Sequence, residues 1–239
     1  MKRWLRNIKF ARKMKIKFEN KLQLGNGIYT TMEIANILRI PYQKVHLWIN
    51  KYWDGELGKA YEGNYSWSID KTKAVGFHTL VEFYIMVQFA EVGVSTRQVL
   101  NAHKELSKTF NTPFPFAQKN VIVNIHTDGK KIFLSTNDGT ITLDGSKQFN
   151  LAFIKLFYKK LEFDNDLLAS RYWPLGKGHK IVCDPHHKFG QPIVEGTNIQ
   201  AEAIYRMYVA KEPMSFIADL YEISEDKVKD AVKFYKEAA

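Results

Sequence analysis

Between Tyr42 and Lys51 stand six polar side chains, Tyr42, Gln43, Lys44, His46, Asn50 and Lys51, all able to donate hydrogen bonds, with no acid among them. Glutamine can pair with a base edge in the major groove, while lysines, tyrosines and histidines suit phosphates; a carboxylate there would repel the polyanion. The six occupy the outward positions of a helix whose other face holds Val45, Trp48 and Ile49. Reading duplex DNA is the chemistry this pattern serves. A purely structural helix is the alternative, although packing alone does not call for such a bias.

A second cluster, Cys183, Asp184, His186 and His187, falls within five positions and invites a metal test. The spacing is poor for zinc, because no second Cys or His pair stands at the separation a structural site uses and adjacent histidines seldom converge on one ion. Backbone shape is the better reading of this stretch: Gly190, Pro192 and Gly196 set turns ahead of a helix starting near Gln200. No Gly-Lys-Ser or Gly-Lys-Thr makes it a phosphate loop. His78 and His103 read as ordinary helix-surface or core histidines. Lacking a nucleophile with its base and a framed pair of carboxylates, the chain is expected not to be an enzyme and to need no cofactor or metal.

The elements that must hold the donor set come next. In "YTTMEIANILRIPYQKVHLWINKY", Thr31 suits an N-cap, Glu33 the first turn, and Ile34, Ala35 and Leu38 one apolar face, ending near Arg39. Pro41 cannot continue that helix but suits the first turn of a second. Small Ala35 lets the two cross closely, as a helix-turn-helix requires. "WDGELGKAYEGNYSWSID", Trp53 to Asp70, has Gly55, Gly58, Gly63 and Asn64 between aromatic segments and reads as a wing-type β-hairpin with Lys59, Lys71 and Lys73 on or beside it. Tyr61, Tyr65 and Trp67 fit wing or core equally. Helices are expected from Phe77 to a stop at Gly93, and from a Ser95 or Thr96 cap to Phe110.

Val121 to Gly145 alternates apolar and polar residues around Asp128-Gly129 and Asp138-Gly139, the pattern of a small antiparallel meander. "FNLAFIKLFYKKLEFD" reads as an amphipathic helix and "SRYWPLGKGHK" as a linker or surface turn. Three helices follow, Glu202 to Val209, Met214 to Tyr221 and one capped by Ser224 that runs to about Lys236. The last two repeat the first pair: Ile34 to Ile49 superposes without a gap on Ile217 to Val232 at an offset of 183, with five identities. Glu225, Asp226, Lys227, Lys229, Asp230 and Lys233 are expected to be exposed on the final helix. Its three acids suit protein contact better than phosphates, although a bipartite DNA reader is the alternative and convergence could account for the match.

The chain has 239 residues, 45% of them hydrophobic, and a formal charge of +10. Most of the surplus sits at the start: residues 1–22 hold Lys2, Arg3, Arg6, Lys9, Arg12, Lys13, Lys15, Lys17 and Lys21 against Glu19 alone. Such an arm suits phosphates, or serves as a solubilising tail; Met14 offers an alternative start that would remove six of the nine cations. One cysteine, no apolar leader and no run of about 20 apolar residues point to a cytoplasmic protein without a membrane span.

"YTTMEIANILRIPYQKVHLWI" with "FHTLVEFYIMVQFAEVGVSTRQVLNAHKEL" resembles the start of MerR-like winged-helix proteins. "TPFPFA", "HTDGKKIFL", "RYWPLGKGHKIVCDP" and "FGQPIVEGTNI" are similar to the long VapB-type antitoxins, whose C-terminal module was catalogued as a domain of unknown function. The match runs from about Gly27 to the C-terminus. The resemblance implies an α+β, mostly helical chain with a basic arm (1–26), a MerR-like winged helix-turn-helix with helical extension (27–112), a β-meander plus helix (113–178) and a C-terminal antitoxin-type helical domain (179–239). It also implies an antitoxin that binds its own operator as a homodimer and neutralises a PIN-domain ribonuclease toxin. The DNA contacts it suggests are Thr31, Tyr42, Gln43, Lys44, His46 and Lys51, with Lys59 added from the wing. A free-standing MerR-like regulator with a ligand-binding or dimerisation region is the alternative.

Overall fold

The computed structural model describes residues 25–61, 63–69, 71–127, 132–136, 139–142 and 160–237. The basic arm up to residue 24 and most of the helix expected over 149–164 lie outside them. The fold is α+β. Strand β1 (Tyr29–Thr30) leads into helices α1 (Thr31–Leu38) and α2 (Tyr42–Leu47), and α2 widens into a π-helix over Trp48–Gly58 that ends in one α-turn, Lys59–Tyr61. The hairpin β2 (Ser66–Ile69) and β3 (Thr72–Val75) follows, then the long helices α3 (Phe77–Glu91) and α4 (Thr96–Phe110) and the short α5 (Lys119–Ile122). Strands β4 (Ile125–Thr127), β5 (Ile132–Thr136) and β6 (Gly139–Thr142) form a meander that starts later than expected, since Val121 and Ile122 belong to α5.

The expected wing hairpin over Trp53–Asp70 is therefore only half a hairpin. Its glycines serve the wide helix instead: a Cβ on Gly55 would lie 2.7 Å from the Asn50 carbonyl oxygen, and one on Gly58 would run into the carbonyl of Gly63, each five residues away along the chain. Glycine at these positions leaves room for the i, i+5 backbone approach of a π-helix.

The C-terminal part holds a second departure. β7 (Leu161–Phe163), β8 (Ala169–Tyr172), β9 (Ile181–Cys183) and β10 (Pro192–Val194) build one four-stranded antiparallel sheet in the order β10-β9-β8-β7. The stretch read as a linker thus supplies a strand, with Tyr172 paired to Leu161 and Cys183, and Trp173 is buried beside Val182 and Ile193. Leu161–Phe163, read as helix, is an edge strand. This sheet runs across the boundary drawn between residues 178 and 179.

One hydrophobic core extends from Tyr29 to Phe234. Tyr84 of α3 packs on Tyr172 at 4.8 Å between ring centroids. The Tyr29 hydroxyl donates to the Gly190 carbonyl at 2.8 Å, and Ile28 N–H donates to the Phe189 carbonyl at 2.7 Å. Gly190, at φ +84°, could not carry a side chain there, because a Cβ would collide with the Tyr29 hydroxyl. Between α3 and α4 the fully buried Glu82 accepts from Phe116 N–H at 2.9 Å, and its second oxygen lies 2.6 Å from His103 Nε2. His103 is a core residue, one of the two places expected for it.

After the sheet come α6 (Ala201–Val209), α7 (Met214–Tyr221) and α8 (Glu225–Lys236), within one or two residues of the expected spans. Among the described residues no helix is long and apolar enough to cross a membrane.

Candidate nucleic-acid interface

The helix pair α1–α2 starts from a capping box. Thr30 Oγ1 accepts from Glu33 N–H at 3.3 Å, and Glu33 accepts from Thr30 N–H at 2.7 Å. The cap is thus Thr30 and not Thr31, because the reciprocal box needs a spacing of three from its glutamate. α1 stops at Arg39, which turns left-handed (φ 56°, ψ 47°), and Ile40 N–H bonds back to the Ala35 carbonyl at 3.1 Å. Pro41 then opens α2, its carbonyl accepting from Lys44 N–H at 2.9 Å.

Buried Val45, Trp48, Ile49 and Trp53 hold this element down, with Trp48 and Trp53 packed against Phe83 of α3 at 5.5 and 4.7 Å between centroids. Anchoring one face presents the other. Tyr42, Gln43, His46, Leu47 and Lys51 are exposed and Lys44 is half-buried. Tyr42 stacks on His46 (6.0 Å, 25°), Lys44 Nζ lies 5.2 Å from the Trp48 ring centre, and Lys51 lies 5.4 Å from that of Tyr52. These ring contacts order cations and donors without consuming their N–H groups. Asn50 is different: its amide donates to the His46 carbonyl at 2.8 Å, so it is turned back onto the helix.

Thr31 does not belong to the exposed set. It is 1% exposed, and its hydroxyl is directed at the Lys73 carbonyl, 3.4 Å away, so its side chain cannot meet DNA. Lys59 is exposed on the α-turn after the π-helix and not on a hairpin strand. Two residues, Leu47 and Asp54, were not singled out from the sequence, and Lys71 was named there only as lying on or beside the wing. Leu47 stands 45% exposed among the donors, an apolar group of the kind that meets a thymine methyl. Lys71 occupies the turn of the β2–β3 hairpin, exposed and at φ 68°. Asp54 fastens that hairpin to the π-helix, accepting from Tyr65 N–H (2.9 Å), Ser66 N–H (3.1 Å), Ser66 Oγ (2.6 Å) and Lys73 Nζ (2.6 Å). Nothing in the local spacing marked its partners eleven to nineteen positions on.

The repeat noticed in the sequence is also a structural repeat. At the same offset of 183, α1 falls on α7 end for end and the starts of α2 and α8 coincide. Left-handed Arg39 falls on left-handed Glu222 (φ 53°), and the Ile40 to Ala35 backbone bond on that from Ile223 to Ala218, 3.0 Å. Ile34, Ala35, Val45 and Ile49 are buried, as are Ile217, Ala218, Val228 and Val232. The outward faces differ. Asp230, expected to be exposed, accepts from His179 Nδ1 and Lys180 N–H, both at 2.7 Å, and Lys227 reaches the Glu195 carbonyl at 3.4 Å. The C-terminal copy therefore packs part of its second helix onto neighbouring loops, where α2 leaves the equivalent face clear.

In the metal candidate, Cys183 is buried in the core and burial raises its thiol pKa well above the ordinary range. Asp184 is occupied by Arg171 Nε at 2.8 Å and His186 N–H at 2.9 Å. The four residues serve the sheet and its loop.

Residues 181–235 match a family described as a protein of unknown function, DUF433. No curated protein matches the chain. Among solved structures, the chain is similar to a protein described as the X-ray crystal structure of Rv2018 from Mycobacterium tuberculosis, with a TM-score of 0.65, 16% sequence identity, and coverage of 90% of this chain and 99% of that one. At that identity the likeness speaks for the fold. The DUF433 match coincides with the expected C-terminal module of catalogued but unknown function.

Proposed function

We propose that the chain is a DNA-binding antitoxin: α1 and α2 act as a helix-turn-helix, α2 reads the major groove of the protein's own operator, the β2–β3 hairpin acts as a wing on the adjacent backbone, and a second surface holds a PIN-domain ribonuclease toxin. The observation that carries the DNA half is the outward face of exposed Tyr42, Gln43, His46, Leu47 and Lys51 with half-buried Lys44, free of acids and held by the buried Val45–Trp48–Ile49 face. In this reading Gln43 contacts a base, Lys44 and Lys51 contact phosphates, and the Tyr42–His46 stack presents a rigid donor edge. Lys59 and Lys71 extend the basic surface toward the wing. The toxin half rests on the family resemblance of the C-terminal segments, with which the DUF433 match coincides.

A second reading, a free-standing regulator, draws on a cavity of about 450 Å³ lined by Leu38, Arg39, Lys44, Tyr84, Glu91 and Lys160 among others. Lys44 belongs to both this cavity and the reading face, so an anionic ligand there would compete with DNA for the same cation. Growth of cells expressing the open reading frame adjacent to this gene, alone and with this protein, tests the antitoxin reading. Arrest rescued by coexpression is the expected result. No arrest, or arrest without rescue, overturns it in favour of the regulator.

A further inference from the structure

The two copies of the helix pair differ most in what covers them. Ile37 in α1 is 4% exposed, packed toward α3 where it shares a cavity wall with Val87 and Gln88. Its counterpart in α7 is Leu220, which is 55% exposed, and one turn earlier Phe216 is 48% exposed. Positions 216 and 220 are four apart and lie on one face of the helix. Large apolar residues exposed side by side mark a contact surface more often than singly scattered ones. At Leu220 the C-terminal copy therefore leaves open a position that is buried in the N-terminal copy, and beside it Phe216 stands where the first copy has the half-buried capping residue Glu33.

We propose that the Phe216–Leu220 face of α7 docks an amphipathic α-helix of a partner protein, one with an aliphatic stripe flanked by lysine or arginine. The internal repeat supplies the shape of the occupant, since in the first copy helix α3 is a neighbour of α1, and Ile37, the counterpart of Leu220, shares a wall with Val87 and Gln88 of α3. Charge supplies its flanks. Asp219 is exposed and flanks the apolar pair, Glu212 and Glu222 bracket the helix ends, and α7 itself carries no cation, although Lys211 stands just before Glu212. A second copy of this chain laid face to face would set Asp219 and Glu222 against their own equivalents, which disfavours self-association through this surface. The inference does not rest on DNA reading by α2.

The test uses the full chain and a fluorescein-labelled helical peptide of roughly 20 residues, with leucines at i, i+4 and i+7 and lysines on the flanks, and a matched peptide with glutamates in place of the lysines. Anisotropy titration should show the lysine peptide binding at least about tenfold tighter than the glutamate peptide, and the Phe216→Ser/Leu220→Ser variant losing at least about tenfold for it. Both replaced residues are exposed, so the variant should keep the wild-type melting profile and DNA affinity. Asp219→Lys should invert the preference between peptides, which guards against misfolding of the double variant. Failure of the lysine peptide to bind, equal binding by wild type and double variant, or a sedimenting dimer that depends on Phe216 and Leu220 would each overturn the proposal, the last in favour of a second copy.

Discussion

Removing the Asp54 carboxylate should loosen the hairpin from the π-helix, and the cost can be worked from its partners. Asp54→Ala strands the N–H groups of Tyr65 and Ser66 in a nearly buried site, at about 1–3 kcal/mol each. Lys73 is 35% exposed at its side chain and regains water, so its loss adds less than about 1 kcal/mol. A net destabilisation of about 3 kcal/mol follows, with a fall in Tm of roughly 6–12 °C for a chain of this size. Asp54→Asn keeps one acceptor for the two backbone groups and gives up the charge, and should cost about 1–2 kcal/mol. Urea unfolding, with Cm and m both fitted, together with thermal melts, measures these values. A D54A variant within about 0.5 kcal/mol of wild type would refute the anchoring role. D54N as damaging as D54A would show that the ion pair with Lys73, and not the backbone bonds, holds the hairpin.

Trp48→Ala removes a buried ring packed on Phe83 and should cost roughly 3–5 kcal/mol by urea unfolding; an unchanged midpoint would remove Trp48 from the core. Burial is the main cause that lowers the His78 pKa below its ordinary value of about 6.5, opposed in part by a hydrogen bond with the Ala169 backbone and by Asp164. The unfolded chain then binds the proton first, so this residue's contribution is intact above about pH 6.5 and is lost as pH falls toward the folded-state pKa. Wild type should lose more stability than His78→Gln between neutral and mildly acidic pH, and parallel curves would contradict this. Burial raises the Cys183 thiol pKa and closes access to it, so a thiol reagent at neutral pH should label the native chain only at the rate at which it opens; stoichiometric labelling within seconds would place Cys183 at the surface.

What could be read from the sequence was what local chemistry dictates. The helix pair and its repeat were legible because Pro41, Ala35 and the apolar spacing act over a few residues, whereas the left-handed turn at Arg39 showed only in the structure. The C-terminal helices were legible for the same reason. The π-helix was not, since Gly55 and Gly58 signal turns in any local scheme and only the i, i+5 backbone approach reveals their use. The sheet through Tyr172 and Cys183 escaped because its strands have at most four residues, too few for alternation to show. The cap was read one position too late, at Thr31, and that residue, suggested by the resemblance as a DNA contact, is buried. In the donor set, exposure separates Tyr42, Gln43, His46 and Lys51 from Asn50, whose amide turns back to the helix.

The central claim is that α2 reads DNA, and a salt-titrated anisotropy measurement on the full chain tests it most directly. Duplexes carrying the protein's own upstream region and a scrambled duplex would be compared for wild type, Gln43→Ala and Lys44→Ala. The account predicts that wild type prefers the upstream duplex, that Gln43→Ala erases much of that preference, and that Lys44→Ala weakens binding to both while lowering the slope of log K against log salt by about one. Equal affinity of wild type for both duplexes, with slopes unchanged by Lys44→Ala, would contradict it.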